Sequence, residues 1–290
     1  MSERRRVGII GGSGQLGGAL AEAFAGCALA VPDRTALDLG DADSIRGTLD
    51  STKPDVVLLA AAMAHVDGCE LDAAACARVN VDGTRAVAAW AAQAGATVVF
   101  FSSDHVFDGR AEAYGEDDPV HPLNEYARSK VTGERIVREY LPGRHVILRT
   151  AWVYGPDRAR RNFALRLVTR LRGGQRVPVP SDQSGAPTYT GDLAIATRYL
   201  VERRIAGTFH ATGPEVLDRV ALAHRICARF GVDPAGIVPV PTAELRQPAP
   251  RPLRVRLRCE RLAAVGAPSF RGVDDGLAAL HAWASTHGAA

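Results

Sequence analysis

Residues 6–20 read RVGIIGGSGQLGGAL, and no other stretch restricts the fold of this chain as tightly. An apolar run leads into Gly11, Gly14 and Gly17, a G-x-x-G-x-x-G pattern, and from there into residues of helical character. A strand that turns directly into a helix needs glycine's backbone freedom at the turn. Missing side chains also let the main chain approach a pyrophosphate at the helix N-terminus. Glycines alone are a weak signal; between a strand and a helix they predict a dinucleotide site. Downstream, Asp33 lies near where an acid would hold the ribose diol, whereas Arg34 beside it could take a 2′-phosphate. Either could equally be a solvated loop charge.

Three further apolar runs read as buried parallel strands: VVLLA (56–60), TVVFFS (97–102) and HVILR (145–149). Helical patterns lie between them at 15–25, 42–52, 70–94 and 124–140. This alternation predicts an α/β fold, a doubly wound parallel sheet. After Trp152 the character changes to an arginine-rich helix (158–172), the loop-like VPVPSDQSGAPTYTGD, a helix near 191–203 and a strand at 207–212. A Pro-rich stretch and a last helix, 273–286, complete the chain. The second half has too few strands for a large sheet of its own. The expected organisation is a dinucleotide-binding domain over 1–150, to which 188–212 returns, and a smaller substrate-binding lobe, mainly 151–290.

Composition narrows the function by exclusion. With 47% hydrophobic and 23% charged residues the chain can bury a core, and a net charge of +3 without an aromatic-laced basic stripe argues against nucleic acid. No run of 18 apolar residues is present, so no membrane span is expected. The arginines near the N-terminus superficially resemble an export signal, but glycines and Glu22 break the apolar stretch, and the expected location is cytoplasmic. The five cysteines form no CxxC and the histidines no HExxH, so no metal is expected.

Two more constellations carry chemistry. Of the 35 basic residues only Lys53 and Lys130 are lysine, and Lys130 stands four residues after Tyr126 in NEYARSK. On a helix that spacing puts both on one face. A free tyrosine has a pKa of about 10, and lowering it by about 3 units takes roughly 4 kcal/mol. An ammonium about 4 Å away, at an effective dielectric of about 20, supplies about that much. The other constellation is FFSSDHVF, 100–107, which sets Ser103 at the carboxyl end of a strand, where doubly wound sheets bind ligands.

Taken together, these motifs resemble the extended short-chain dehydrogenase/reductase superfamily. The nearer resemblance is to the dTDP-4-dehydrorhamnose reductase family, on GGSGQLG, KPDVVLLAAAMAHVDGCE (53–70), VNVDGT (79–84), SSDHVFDG (102–109), PLNEYARSK (122–130), LRTAWVYG (148–155), NF (162–163) and DQSGAPT (182–188). The resemblance implies a Rossmann-type domain and NAD(P)H-dependent reduction of a keto group on a nucleotide-activated deoxysugar; reading Arg34 as the partner of a 2′-phosphate favours NADP(H) over NAD(H). It implies Ser103 on the substrate carbonyl, Tyr126 as proton donor, and Lys130 on the nicotinamide ribose. Gly11, Gly14, Gln15, Leu16, Gly17, Asp33, Arg34, Asp38, Leu39, Ala60, Ala61 and Ala62 would line the cofactor. Val66, His105, Trp152, Asn162, Phe163, Gln183 and Arg251 would face the nucleotide sugar. A homodimer is compatible with it.

Three departures bear on the substrate. His105 stands where the family has tyrosine, and a histidine, unlike a tyrosine, can gain charge near neutral pH. Ala127 replaces a glycine. AHVDGCE and GTFHATG look more like the branch of methionine adenosyltransferase regulatory β-subunits, which implies a non-catalytic NADP-binding subunit as the alternative. An epimerase or dehydratase of the same superfamily is a third reading.

Overall fold

The structure, a computed structural model, describes residues 4–288. In chain order its strands are β1 (Arg6–Ile10), β2 (Ala28–Ala30), β3 (Val56–Leu59), β4 (Thr97–Ser103), β5 (His145–Thr150), β6 (Val153–Tyr154), β7 (Val177–Pro180), β8 (Ser184–Gly185), β9 (Thr188–Tyr189), β10 (Gly207–His210), β11 (Leu217–Asp218) and β12 (Ile237–Val240). The helices are α1 (Gln15–Ala23), α2 (Ala42–Thr52), α3 (Val66–Leu71), α4 (Ala73–Ala77), α5 (Gly83–Ala94), α6 (Glu125–Tyr140), α7 (Phe163–Arg172), α8 (Thr190–Glu202), α9 (Arg219–Phe230), α10 (Glu260–Ala264) and α11 (Val273–Thr286).

Six strands form one sheet in the order β10-β5-β4-β3-β1-β2, every pairing parallel. A parallel strand is buried on both faces, so its residues alternate between two cores rather than between core and water. Val56, Leu58, Val99 and Phe101 pack with Leu20 of α1, Phe24 at its C-terminal end, and Leu193 and Leu200 of α8. Val57, Leu59, Val98 and Phe100 turn the other way, onto Ile45 and Leu49 of α2, Val87 of α5 and Ile136 of α6. Helices on both faces make this the doubly wound sheet that the alternation predicts. Strand order reverses between β1 and β3, and doubly wound sheets bind ligands at such a point, outside the carboxyl ends of the strands.

The lobe is built on α7, α9 and α11 around Leu165, Leu222, Ile226 and Leu277. Its strands make only two-stranded ladders: β6 with β9, β7 with β12 and β8 with β11. The segment between them is not confined to the lobe, since α8 packs on α1 and β10 pairs with β5.

Two helices differ from the sequence expectation. The predicted 70–94 helix is divided: Asp72 leaves helical geometry at φ −137° to cap α4, and a π-helical turn, Arg78–Asp82, precedes α5. The predicted 158–172 helix starts only at Phe163. Ahead of it the Asp157 carboxylate accepts from the N–H groups of Ala159 and Arg161, and Asn162 caps the first turn.

Candidate active site

The glycine turn is tight in a way that no other residue could match. Gly11 has φ +96°, and a Cβ there would lie 2.6 Å from the Ala61 nitrogen. A Cβ on Gly17 would come within 2.1 Å of the Gly11 carbonyl. Gly14 is different: its nearest neighbour would be a carbonyl at 3.3 Å, so packing alone does not demand glycine. It is the N-cap of α1, and no side chain caps that helix. Open N–H groups at the positive end of a helix, beside a residue without a side chain, fit a pyrophosphate. Ala60, Ala61 and Ala62 form the opposite edge, with the N–H groups of Ala60 and Ala61 both donating to Ile10. Gln15 spans to Val153, and Leu16 rests partly on the core.

Beyond β2 the loop is exposed. Asp33 Oδ1 accepts from the N–H of Thr35 at 2.9 Å, the N–H of Ala36 at 2.9 Å and the Thr35 hydroxyl at 2.6 Å. The Thr35 hydroxyl, first among these bonds, holds the Asp33 carboxyl below its ordinary range. Arg34 is exposed and, among the described residues, makes no ion pair. Asp38 closes its own turn onto Gly40, and the Leu39 side chain is buried in the core, so Leu39 has only backbone to offer a ligand.

The catalytic candidates converge on the other side of the switch point. Ser103 ends β4 and is buried. Its hydroxyl donates to Asp104 Oδ1 at 2.8 Å and accepts from the His105 N–H at 3.1 Å. Asn124 starts α6: its Oδ1 accepts from Ala127 and its Nδ2 donates to the Pro250 carbonyl, while Glu70 accepts from the Glu125 N–H. These bonds set the rotation of α6, and hence where Tyr126 and Lys130 point. Lys130 is 6% exposed, donates to the Phe101 carbonyl at 2.9 Å and stands 5.8 Å from the Tyr126 ring centroid. Burial brings its pKa down to about 8, against the pull of Cys76, Cys69 and Glu134.

Here the structure corrects the sequence argument. Tyr126 is not drawn towards neutrality. Burial first, and then the Asp104 carboxylate, push the phenol upward, and only the Ser103 hydroxyl opposes them. The ammonium is spent on a backbone carbonyl, and the phenol lies in the field of Asp104, an acid within the motif SSDHVFDG. His105 is corrected too. Its ring meets Tyr126 edge-on at 5.9 Å, and burial, reinforced by Arg251 and Arg219, lowers its pKa. It is neutral at pH 7 rather than a charge switch.

The remaining candidates form the lobe's wall. Trp152 adopts φ +42°, a left-handed conformation that a bulky residue holds only when its surroundings impose it. Its indole lies against Gly185 of DQSGAPT, where a Cβ would come within 2.6 Å, which is why glycine stands there. Phe163 lies alongside. Arg251 pairs through two bonds, of 2.9 and 2.8 Å, with Asp67, one residue beyond Val66 in α3. Asn162 and Gln183 sit deeper. Both ends of the Asn162 amide serve Leu165 and Gly155, and Gln183 donates to Thr242, so these two support the wall from behind.

Three residues were not foreseen. Asp104 lay inside a recognised motif with no role assigned. Asn80 is buried in the π-turn and ties Met63, after β3, to Ser129 on α6. Arg219 opens α9, a helix signalled by Asp218 as cap, apolar residues at Leu222, Ile226 and Phe230, and a stop at Gly231.

A parallel doubly wound sheet with a glycine turn at its switch point and a Ser–Tyr–Lys group beside it defines the short-chain dehydrogenase/reductase class. Within that class the chain belongs to the family described as RmlD substrate binding domain, which matches residues 5–282. It is 34% identical to the dTDP-4-dehydrorhamnose reductase of Streptomyces griseus over 92% of this chain and 90% of that one. It is 31% identical to the methionine adenosyltransferase 2 subunit beta of Danio rerio, over 90% of this chain and 85% of that one. Among solved structures, dTDP-4-dehydrorhamnose reductase from Bacillus anthracis in complex with NADP superposes with a TM-score of 0.90 at 28% identity, covering 96% of this chain and 98% of that one.

Proposed function

We propose that this protein is an NADPH-dependent reductase of a keto group on a nucleotide-activated deoxysugar, of the dTDP-4-dehydrorhamnose kind. One observation carries the reading: Ser103, Tyr126 and Lys130 gather at the strand ends beside a glycine turn shaped for a pyrophosphate. The groups that would hold the cofactor are the turn Gly11–Gly17, Ala60 to Ala62 and Lys130. A reduced nicotinamide nucleotide bound there supplies the hydride.

The protein's own groups handle the proton. Because its pKa is raised, Tyr126 is a protonated phenol across the neutral range and is ready to give its proton to the oxygen that turns into an alcohol. Ser103 places a donor at that oxygen as charge develops, after its hydroxyl turns from Asp104. The Lys130 ammonium then stands behind the phenolate, and Asp104 resists leaving it there, which favours reprotonation. The finer cofactor preference rests on the β2 loop: Asp33 is committed to its turn while Arg34 is free to meet a 2′-phosphate. That favours NADPH, with the protein acting in the cytoplasm.

The test is NADPH consumption with a panel of dTDP-, UDP- and GDP-linked 4-keto sugars, with product analysis. Turnover of at least one, giving the alcohol, supports the reading. NADPH binding with no turnover of any would instead support a non-catalytic subunit.

A further inference from the structure

Arg219 enters the cleft from the first position of α9. Its guanidinium carbon lies 3.4 Å from the Trp152 ring centroid and 5.0 Å from that of Phe163. A guanidinium stacked this closely on an aromatic face keeps its N–H donors in its own plane, directed past the ring edge. Among the described residues no acceptor meets those donors and no carboxylate pairs with the charge. Asp104 is within electrostatic reach but holds the Ser103 hydroxyl instead. Arg251 makes the contrast, since Asp67 fully occupies its fork.

The position lies within electrostatic reach of the candidate catalytic group. Arg219 acts on His105, whose ring stands 5.9 Å from that of Tyr126 and whose Nδ1 is buried without a partner. Burial lowers the Arg219 pKa to about 9, which still leaves a cation at neutral pH. Arg219 is half-buried rather than sealed in, so its unpaired donors stay open to an anion that enters. The strained Trp152 backbone shows that the surface beneath it is held in place.

We infer that Arg219, levelled on Trp152, binds an oxyanion of the substrate, a phosphate of the nucleotide-sugar diphosphate, and thereby selects activated over free sugars. This rests on the nucleotide-sugar reading above. A carboxylate on the sugar ring offers the same chemistry, and the experiment separates the two sources.

The full-length protein, saturated with NADP⁺, is titrated calorimetrically with dTDP, UDP, GDP, inorganic pyrophosphate, thymidine and glucuronate. At least one nucleoside diphosphate should bind. Arg219→Gln and Arg219→Met should each weaken it by about tenfold to a hundredfold, the range for bonds to a charged group. Arg219→Lys should recover part, while thymidine and NADP⁺ affinities stay unchanged. With the keto-sugar substrate the same variants should raise KM more than they lower kcat. Equal diphosphate binding by Arg219→Gln overturns the inference alone and leaves the reductase reading standing. So does full recovery in Arg219→Met, which would make the role one of packing. Loss of glucuronate but not of diphosphate binding would place a sugar carboxylate there and overturn the phosphate assignment. Failure of every nucleoside diphosphate to bind wild type defeats the nucleotide-sugar reading and this inference with it.

Discussion

The two walls of the cleft are made of opposite materials. The candidate cofactor wall is nearly bare backbone: Gly11, Gly14, Gly17 and three alanines offer it almost no side chain, and the first turn of α1 is left without a side-chain cap. The substrate wall is side chain throughout, with His105, Trp152, Phe163, Arg219 and Arg251 converging from five separate segments. A wall of backbone recognises what all dinucleotides share, and at Gly11 and Gly17 it has no room for even one added carbon. A wall of side chains can be rewritten one residue at a time. Under the proposed function the first would serve the cofactor and the second would select the sugar. One departure from the family pattern, His105, stands on the second wall.

If this contrast is right, the largest effect comes from adding one carbon to the bare wall. Gly17→Ala sets a Cβ against the Gly11 carbonyl and should lose both the native turn and NADPH binding, seen as a lowered Tm that NADPH no longer raises. Gly14→Ala meets no such obstacle, so it should keep the Tm and still weaken NADPH. Equal behaviour of the two would mean that Gly14 serves packing and not a ligand.

Next in size is the proton donor. Tyr126→Phe should cut turnover by about 10²–10⁴ with NADPH affinity unchanged; activity within tenfold of wild type would remove Tyr126 from the chemistry. The Lys130 cation should show in the pH dependence of kcat/KM. Its folded pKa of about 8 lies below the ordinary lysine value, so the ammonium is present below that pH and lost above it. The rate should therefore fall as pH rises through about 8. For stability the sign is opposite: the burial cost is full below about 8 and is relieved as pH climbs towards the unfolded value.

Smaller effects follow. Arg34→Ala should weaken NADPH by about tenfold or more and leave NADH nearly unchanged, given 1.5–3 kcal/mol for a bond to a charged group. A parallel loss for both cofactors would assign Arg34 to the loop. Smallest is His105→Tyr. Since His105 is already neutral at pH 7, the substitution should leave the profile above about pH 6.5 alone while shifting relative rates across the sugar panel. Unchanged ratios would make it a packing residue.

What could be read from the sequence divides along the same line. A strand, a glycine turn and an i, i+4 pair are local, so the β1–α1 turn and the Tyr126–Lys130 face were legible from spacing alone. Arg219, Asp104 and Asn80 were not, because their meaning lies in distant segments: Trp152 for one, Tyr126 for another, Met63 and Ser129 for the third. Lys130 marks the limit within a motif. Spacing placed the ammonium on the correct face, and the magnitude was adequate, but the Phe101 carbonyl and the Asp104 carboxylate decided the outcome, and neither is encoded in Y-x-x-x-K.

The central claim is that the bare wall and the Ser103–Tyr126–Lys130 group act together to reduce a sugar ketone. It is tested most directly with NADPH carrying deuterium at the hydride position, incubated with the protein and a dTDP-linked 4-keto-6-deoxysugar. The account predicts one deuterium on the carbon that bore the ketone, one NADP⁺ formed per alcohol, and transfer at least a hundredfold slower in Tyr126→Phe. Tight NADPH binding with no deuterium transferred to this or any other nucleotide keto-sugar would contradict it.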